Sequence, residues 1–283
     1  MAGDYVTWSP DGKWLVIGER QIHYYDTQTM TEVRSFQADR WVSGLAISPD
    51  SKVLAAIDET RGVILFDLAS GSQLRTLPQT TISTSAVSSS FLAFTPDSTR
   101  LAVIIGDVVK LYDVASGEDA GTIVAKGANA IAFSADGKSL YAASWMGMTA
   151  SDVASGAQIR SFGDASRGAN RMILSPDGSK LLSAGTFTEP MILWDPTNGN
   201  QLRNFSGHTD SVTCLAFSPD GKILASASND VTIRLWDVAS GASLQTLVGP
   251  TQAAQSIAFS PDGTSLAATG NGLDVWMWSL QEK

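Results

Sequence analysis

Short apolar runs alternate with polar turns along the whole chain, and one turn returns seven times. Each copy reads Ser-Pro-Asp-Gly or differs from it at one or two positions, and the copies begin 39 to 47 residues apart. They stand at residues 9–12, 48–51, 95–98, 134–137, 175–178, 218–221 and 260–263. A repeat of about 40 residues with strand-like segments between turns is typical of a β-propeller. The pattern therefore predicts an all-β, seven-bladed β-propeller.

The sixth unit shows how one repeat is built. Strands are predicted at 211–217, 223–227, 232–236 and 243–247, separated by turns at 218–221, 229–230 and 237–241. Pro219 presets φ at the second turn position and Gly221 closes the turn. The inner strands consist mainly of Ala, Ile, Leu and Val, which is typical of strands covered on both faces. We therefore expect mostly four-stranded antiparallel blades packed against each other.

The repeat fills nearly all of the 283 residues, so we predict a single domain, 1–283, rather than two. Its units run approximately 1–37, 38–78, 85–125, 126–163, 167–206, 207–248 and 251–283. Fourth strands are predicted after the first six units, at 33–36, 73–77, 120–124, 158–162, 201–205 and 243–247.

The seventh unit differs from the others at its end. It runs through the strand around Trp276 and stops at Lys283, and only three residues precede the first unit. We therefore predict 27 strands, a three-stranded seventh blade, and an open edge strand from Leu273 to Leu280. Open edges invite strand addition, so this edge is a candidate for self-association or partner binding. The alternative is that the chain is a piece from which the closing strand was left out.

Composition narrows the class of partner. The net charge is −9 and the pI is about 4.6, so nucleic acid and anionic membranes, which repel an acidic surface, are not expected as partners. The single cysteine, Cys214, lies at an apolar strand position and is interpreted as a small buried thiol. The N-terminus has no signal-peptide pattern and no stretch approaches 18 apolar residues, so we expect a cytoplasmic protein.

The sixth unit also carries a family resemblance. It contains Gly207-His208, then the run from Leu215 to Gly221, then Asp230 and the run from Ile233 to Asp237. This unit resembles a WD40 repeat. The Trp-Asp pair that ends its third strand recurs at Trp194-Asp195, with weaker forms at 25–26, 66–67, 112–113, 151–152 and 278–279. The resemblance covers essentially the whole chain, but the scaffold serves many unrelated roles.

In WD40 proteins one blade often holds a hydrogen-bonded quartet of His, Ser or Thr, Asp and Trp. The resemblance implies that His208, Ser226, Asp230 and Trp236 form it here. We interpret the quartet as structural rather than catalytic, since loss of one member would leave buried polar groups unpaired.

No set of residues for catalysis is evident, and we expect no cofactor, no metal and no enzymatic activity. The two histidines and one cysteine argue against a metal site of His or Cys ligands, and no phosphate loop or nucleophile elbow occurs. The alternative is a calcium-dependent propeller hydrolase resembling lactonases. Its ligands would come from Asp58, Glu59, Asp107, Asn170, Asn229 and Asn271, which are also common turn formers.

The resemblance places partner binding on the face formed by the loops before the first strand and between the second and third strands. Aligning the units places charged, apolar and aromatic residues there, and aromatic and Arg residues dominate interface hot spots. The candidates are Arg40, Trp41, Lys126, Trp145, Met146, Met148, Arg167 and Arg171.

Trp145 is the most unusual of these candidates, because it stands where the other loops have a polar residue. Two hypotheses are open: Trp145 is a docking point for a partner, or it folds back to plug the channel or pack on the next blade. We predict a non-enzymatic protein-interaction scaffold that binds a protein or peptide. A third hypothesis is a WD40 module of a larger regulatory protein.

Overall fold

The seven repeats form seven antiparallel sheets, each a meander of consecutive strands. The computed structural model describes residues 5–37, 42–58, 60–78, 91–163, 168–185, 189–247, 252–270 and 275–280. Six of the sheets have four strands and the last has three. The predicted all-β, seven-bladed propeller with 27 strands and a three-stranded seventh blade is confirmed.

The strand boundaries follow the repeat. Blades one and two contain β1 (Tyr5–Trp8), β2 (Trp14–Gly18), β3 (Gln21–Asp26), β4 (Thr31–Gln37), β5 (Val42–Ile47), β6 (Val53–Asp58), β7 (Gly62–Asp67) and β8 (Gln73–Thr76). Blades three and four contain β9 (Leu92–Phe94), β10 (Arg100–Ile105), β11 (Val108–Asp113), β12 (Asp119–Val124), β13 (Ala128–Phe133), β14 (Ser139–Ser144), β15 (Gly147–Asp152) and β16 (Gln158–Phe162). Blades five to seven contain β17 (Arg171–Leu174), β18 (Leu181–Ala184), β19 (Met191–Trp194), β20 (Gln201–Phe205), β21 (Val212–Phe217), β22 (Ile223–Ser228), β23 (Ile233–Asp237), β24 (Ser243–Leu247), β25 (Ala254–Phe259), β26 (Ser265–Gly270) and β27 (Val275–Ser279).

The first strand of each blade lines the centre of the ring. These strands contact each other in sequence, β1 with β5, β5 with β9, and so on to β21 with β25 and β25 with β1. The apolar core lies between blades: Leu65 of blade two, Leu101 of blade three and Leu140 of blade four belong to one buried cluster. Strands that are apolar on both faces are thus covered on both faces by neighbouring blades.

The seven turns share one set of hydrogen bonds. In each, the Ser or Thr hydroxyl donates to the Asp carboxylate two residues later, at 2.5–2.7 Å. The residue that ends the turn donates its N–H to the carbonyl of the residue that begins it. The hydroxyl hydrogen bonds lower the pKa of the carboxyl groups of Asp97, Asp136, Asp177, Asp220 and Asp262.

Blade seven is joined to blade one by packing and by side-chain hydrogen bonds. Val6 donates its N–H to the hydroxyl of Ser256 at 3.2 Å, and this hydroxyl also lies 3.3 Å from the Val6 carbonyl. The indole of Trp8 donates to the Ala258 carbonyl at 3.3 Å. Around these bonds lies a buried apolar cluster of Val6, Leu15, Ile17 and Ala267. The junction therefore closes although no strand is shared between the two blades.

The edge strand of blade seven is β27, which pairs with β26 and, within the described part of the chain, with no other strand. The predicted edge began at Leu273, which lies outside the described residues. Across residues 5–280 as described, no helix is long and apolar enough to span a membrane.

We expect Gly178→Ala to lower the free energy of unfolding by about 2–4 kcal/mol and Gly12→Ala by only about 1–2 kcal/mol. Both glycines end a turn with positive φ, 69° and 75°, so the backbone strain of an alanine is shared. A Cβ on Gly178 would also lie 2.5 Å from the Cβ of Ala135 in blade four, whereas Gly12 has no heavy atom within 4 Å. Urea denaturation measures both; equal losses would show that the turns of adjacent blades do not support each other.

Candidate functional site

The four residues of the implied quartet lie together in blade six. The indole Nε1 of Trp236 donates to the hydroxyl of Ser226 at 2.8 Å. Nε2 of His208 lies 2.8 Å from the same hydroxyl, and Nδ1 lies 2.8 Å from Oδ2 of Asp230. The side chains of His208 and Asp230 are almost fully buried. The four groups thus form one continuous chain from the blade interior to the loop face.

The directions of these hydrogen bonds follow from the charge state of the histidine. Burial lowers the pKa of His208 despite its contact with Asp230, so the neutral imidazole is favoured. Nδ1–H then donates to Asp230, and Nε2 accepts from the Ser226 hydroxyl. Burial alone would raise the pKa of Asp230, but hydrogen bonds from Thr232, Thr209 and His208 hold it at about 2. A neutral histidine on an ionised carboxylate with every polar atom paired is a structural arrangement.

Blade five contains the inner half of the same arrangement. The indole Nε1 of Trp194 donates to the buried hydroxyl of Ser183 at 2.8 Å. Ser183 and Trp194 therefore correspond to Ser226 and Trp236, without a histidine in the described part of the chain bonded to the serine.

On the loop face, three predicted binding residues line one groove between blades three and four. Lys126, Met146 and Met148 border a cavity of about 360 Å³, together with the exposed Val124. Met148 is buried at its floor, whereas Lys126 and Met146 are exposed at its rim. We call Val124, Lys126, Trp145, Met146 and Met148 the blade-four groove.

A tight hairpin positions the most exposed residues of the groove. Ser144 pairs with Gly147, so β14 and β15 are joined by Trp145 and Met146 alone. The Ser144 hydroxyl accepts from the Met146 N–H at 3.1 Å and fixes the turn. Blade three has the equivalent two-residue hairpin, but it is made of Gly106 and Asp107. In blade four the same geometry presents two large apolar side chains at the tip.

Trp145 is 68% exposed and Met146 is 42% exposed. The Trp145 main chain rests on Gly168 of the loop before blade five, where a Cβ would lie 2.3 Å from the Trp145 carbonyl oxygen. A Cβ on Gly127 would lie 3.0 Å from the indole nitrogen. Two glycines therefore hold Trp145 in place, and its indole neither fills the channel nor is buried against the next blade.

The central channel contains a second cavity of about 460 Å³. Its wall is formed mostly by apolar residues of the first strands, such as Leu45, Phe94 and Ile131, together with the polar residues Arg171, Thr213 and Gln255. Cys214 also lines it; burial raises the pKa of this thiol to about 12, and the thiol lies 3.7 Å from the Ala254 carbonyl.

A family model described as the WD domain, G-beta repeat, matches residues 199–237 and 241–279. These matches run from the outer strand of blade five through blade seven and include the quartet in blade six. The seven-bladed ring extends the same unit over the rest of the chain. The chain is a WD40-repeat β-propeller. No curated protein matches its sequence. WD40 propellers are typically protein-interaction scaffolds and typically non-enzymatic.

The remaining predicted binding residues of this WD40 propeller are separate from the groove. Arg171 faces the channel, where its guanidinium donates to the carbonyls of Thr213 and Asn170 and ties blade five to blade six. Arg40, Trp41 and Arg167 lie outside the described residues. Val124 was missed by sequence analysis, although a second apolar residue after Ile123 in an outer strand was a signal.

The residues considered for calcium binding in the propeller serve local structure where they are described. Asp58 accepts from the N–H groups of Thr60 and Arg61 at 2.8 Å, and Asp107 accepts from Gly127 at 3.1 Å. Asn170 accepts from Asn129 at 3.3 Å. Glu59 and Asn271 lie outside the described residues. Among the residues that the structure describes, no group of three or more His, Cys, Asp and Glu side chains could hold a metal ion.

We expect Ser226→Ala to lower the free energy of unfolding by about 1–3 kcal/mol, and by more than Ser183→Ala does. Ser226→Ala leaves both the Trp236 indole N–H and His208 Nε2 without this partner. Ser183→Ala, at an equally buried serine, removes the partner of the Trp194 indole alone. Urea denaturation of the two variants tests the quartet; a loss at Ser183 as large as that at Ser226 would contradict it.

We expect the WD40 propeller to lose stability as the pH falls from about 7 to about 5. The pKa of His208 is lowered by folding, so the unfolded chain, with an ordinary histidine pKa near 6.5, takes up a proton first. Stability from the neutral histidine is thus fully present above pH 6.5 and decreases below it. Denaturation at several pH values should show a smaller dependence in His208→Gln. Parallel profiles of the two proteins in this window would refute the assignment of a neutral, buried His208.

Proposed function

We propose that this WD40-repeat protein is a non-enzymatic scaffold that binds a protein or peptide partner at the blade-four groove. The observation that carries the proposal is the exposure of three large apolar residues, Val124, Trp145 and Met146, around a cavity with Met148 at its floor. Apolar patches with an aromatic residue at the centre are typical of protein interfaces.

The chemistry of the groove indicates what it accepts. The floor and two walls are apolar, so a buried aliphatic or aromatic side chain of the partner would fill the cavity. Lys126 adds a positive charge at the rim of a protein whose net charge is −9. A peptide with one large apolar side chain and a neighbouring carboxylate fits both features.

The preformed hairpin supports binding rather than folding as the role of Trp145. Its backbone is fixed by Ser144 and Gly168, so the indole is presented without a large loss of chain entropy on binding. The mostly apolar wall of the central channel also supports a scaffold over a calcium-dependent hydrolase, because calcium requires oxygen ligands.

We expect Trp145→Ala to change the free energy of unfolding by less than about 0.5 kcal/mol while weakening peptide binding at least about tenfold. The probe is the set of peptides enriched from a random display library on the immobilised wild-type protein. Affinities are measured by fluorescence anisotropy for the wild type, Trp145→Ala and Met146→Ala. Met277→Ala is the matched control, because Met277 is 41% exposed, like Met146, but lies at the edge of blade seven.

Peptides that bind Trp145→Ala and Met146→Ala as tightly as the wild type would place the interaction elsewhere and overturn the proposal. A loss of unfolding free energy above about 2 kcal/mol in Trp145→Ala would show that the indole serves packing. Weaker binding to the two groove variants, with unchanged affinity for Met277→Ala, is the expected result.

A further inference from the structure

The third strand of blade seven has the sequence of an inner strand but lies at an edge. Its first residue, Val275, corresponds by register to Ile233 of blade six, and its third residue, Met277, corresponds to Leu235. In blades one to six the first residue is buried, at Ile22, Val63, Val109, Met148, Met191 and Ile233. The third is buried as well, at Tyr24, Leu65, Leu111, Ala150, Leu193 and Leu235. In blade seven Val275 is only partly buried, and Met277 is 41% exposed.

The fourth strands of the other blades show what covers these positions. A large apolar residue lies opposite or beside the first residue of the third strand, as in the pair of Ile233 with Leu247. The equivalents of Leu247 are Phe36, Leu77, Ile123, Phe162 and Phe205. The third residue is paired with Arg34, Arg75, Arg160 and Arg203 in four blades, and with Gly121 or Gln245 in two.

These arginines recognise the next blade along the ring. Arg160 donates to the Pro196 carbonyl and Arg203 to the Ser240 carbonyl, both at 2.8 Å. Arg34 makes the same contact with the Ala69 carbonyl. Each acceptor lies in the turn between the third and fourth strands of the following blade. An arginine opposite Met277 would by the same geometry reach the turn at residues 27–30 of blade one.

Met30 gives this turn a feature of its own. The equivalent residue is glycine in the turns of blades two to six, at Gly71, Gly117, Gly156, Gly199 and Gly241. A Cβ on Gly71 would lie 1.9 Å from the ring of Phe36 in the preceding fourth strand. Met30 has a φ of 52° and is exposed. A strand added to blade seven must therefore leave room for Met30, which favours leucine over phenylalanine at the anchoring position.

We propose that the open edge of blade seven, β27, takes up an extended segment of a partner protein as an antiparallel fourth strand. The segment carries a leucine opposite Val275, a serine or threonine opposite Trp276, and an arginine opposite Met277 that reaches the turn of blade one. Main-chain hydrogen bonds to the edge supply affinity, and the leucine and arginine supply specificity. This surface is separate from the blade-four groove and does not depend on it.

The chain itself contains a segment with this pattern, which serves as the probe. Residues 71–78 read Gly-Ser-Gln-Leu-Arg-Thr-Leu-Pro, with Arg75 and Leu77 in the two specifying positions. We expect the fluorescein-labelled peptide to bind the full chain saturably in anisotropy measurements. Leu77→Ser in the peptide should weaken binding at least about tenfold. Hydrogen exchange should slow at the amides of Val275 and Met277 when the peptide is bound.

Variants of the protein locate the site. Met277→Pro removes an edge N–H and Met277→Lys adds a charge facing the peptide arginine, so each should abolish binding; the second covers the case that the first fails to fold. Met146→Lys in the blade-four groove is the matched control and should bind normally. Leu77→Phe in the peptide should bind the wild type more weakly than the Met30→Gly variant.

Three results would overturn the proposal. One is the absence of saturable binding of the 71–78 peptide. Another is binding that Met277→Lys leaves unchanged. The third is a concentration-dependent dimer in light scattering without peptide, abolished by Met277→Lys, which would show that a second copy of the chain covers the edge. Each result leaves the test of the blade-four groove unaffected, because that test uses different peptides and variants.

Discussion

The fold depends on the contact between neighbouring blades, since the inner strands are apolar on both faces and no single blade can bury them. Leu101 of blade three, for example, lies in one cluster with Leu65 before it and Leu140 after it. Such a stack is stable only when it closes, because an open end would expose one complete inner face. The junction of blade seven with blade one carries that requirement. It is met by the Val6 and Ala267 cluster and by the hydrogen bonds of Ser256 and Trp8, so closure is a matter of face-to-face packing.

The turns reinforce the same contact on the opposite face of the ring. Glycine ends five of the seven turns, and at Gly178 the next turn approaches so closely that a Cβ would clash. Blades two and three have serines instead, which hold a positive φ that costs an L residue about 1 kcal/mol. Each serine hydroxyl accepts the Asp N–H of the preceding turn, Ser51 from Asp11 and Ser98 from Asp50. The strain is thus offset by a hydrogen bond between blades, which a glycine could not make.

The repeat made most of the fold predictable from sequence, because seven copies of one pattern average out the ambiguity of any single segment. The four predicted strands of the sixth unit differ from the observed β21 to β24 by at most one residue at either end. The two roles of Trp145 could not be separated in this way. Whether an indole folds inward depends on Gly127 and Gly168, which come from other loops, and on the pairing of Ser144 with Gly147. Arg171 shows the opposite error: its position suggested an exposed cation, yet the Thr213 carbonyl of the next blade draws it into the channel wall.

A repeat protein supplies its own reference state, since six equivalent positions show what each site requires for folding. Blade three proves that a two-residue hairpin at this position needs only Gly106 and Asp107, so Trp145 and Met146 are not required by the turn. Met277 likewise stands where the other blades bury their residue, and burial of such a side chain is worth about 1.5–3 kcal/mol that this chain forgoes. Both departures increase the apolar surface in contact with water and stabilise nothing else in the described structure. Covering that surface is the gain that a binding partner would obtain, which is why the two departures, rather than the regular parts of the ring, carry the functional proposals.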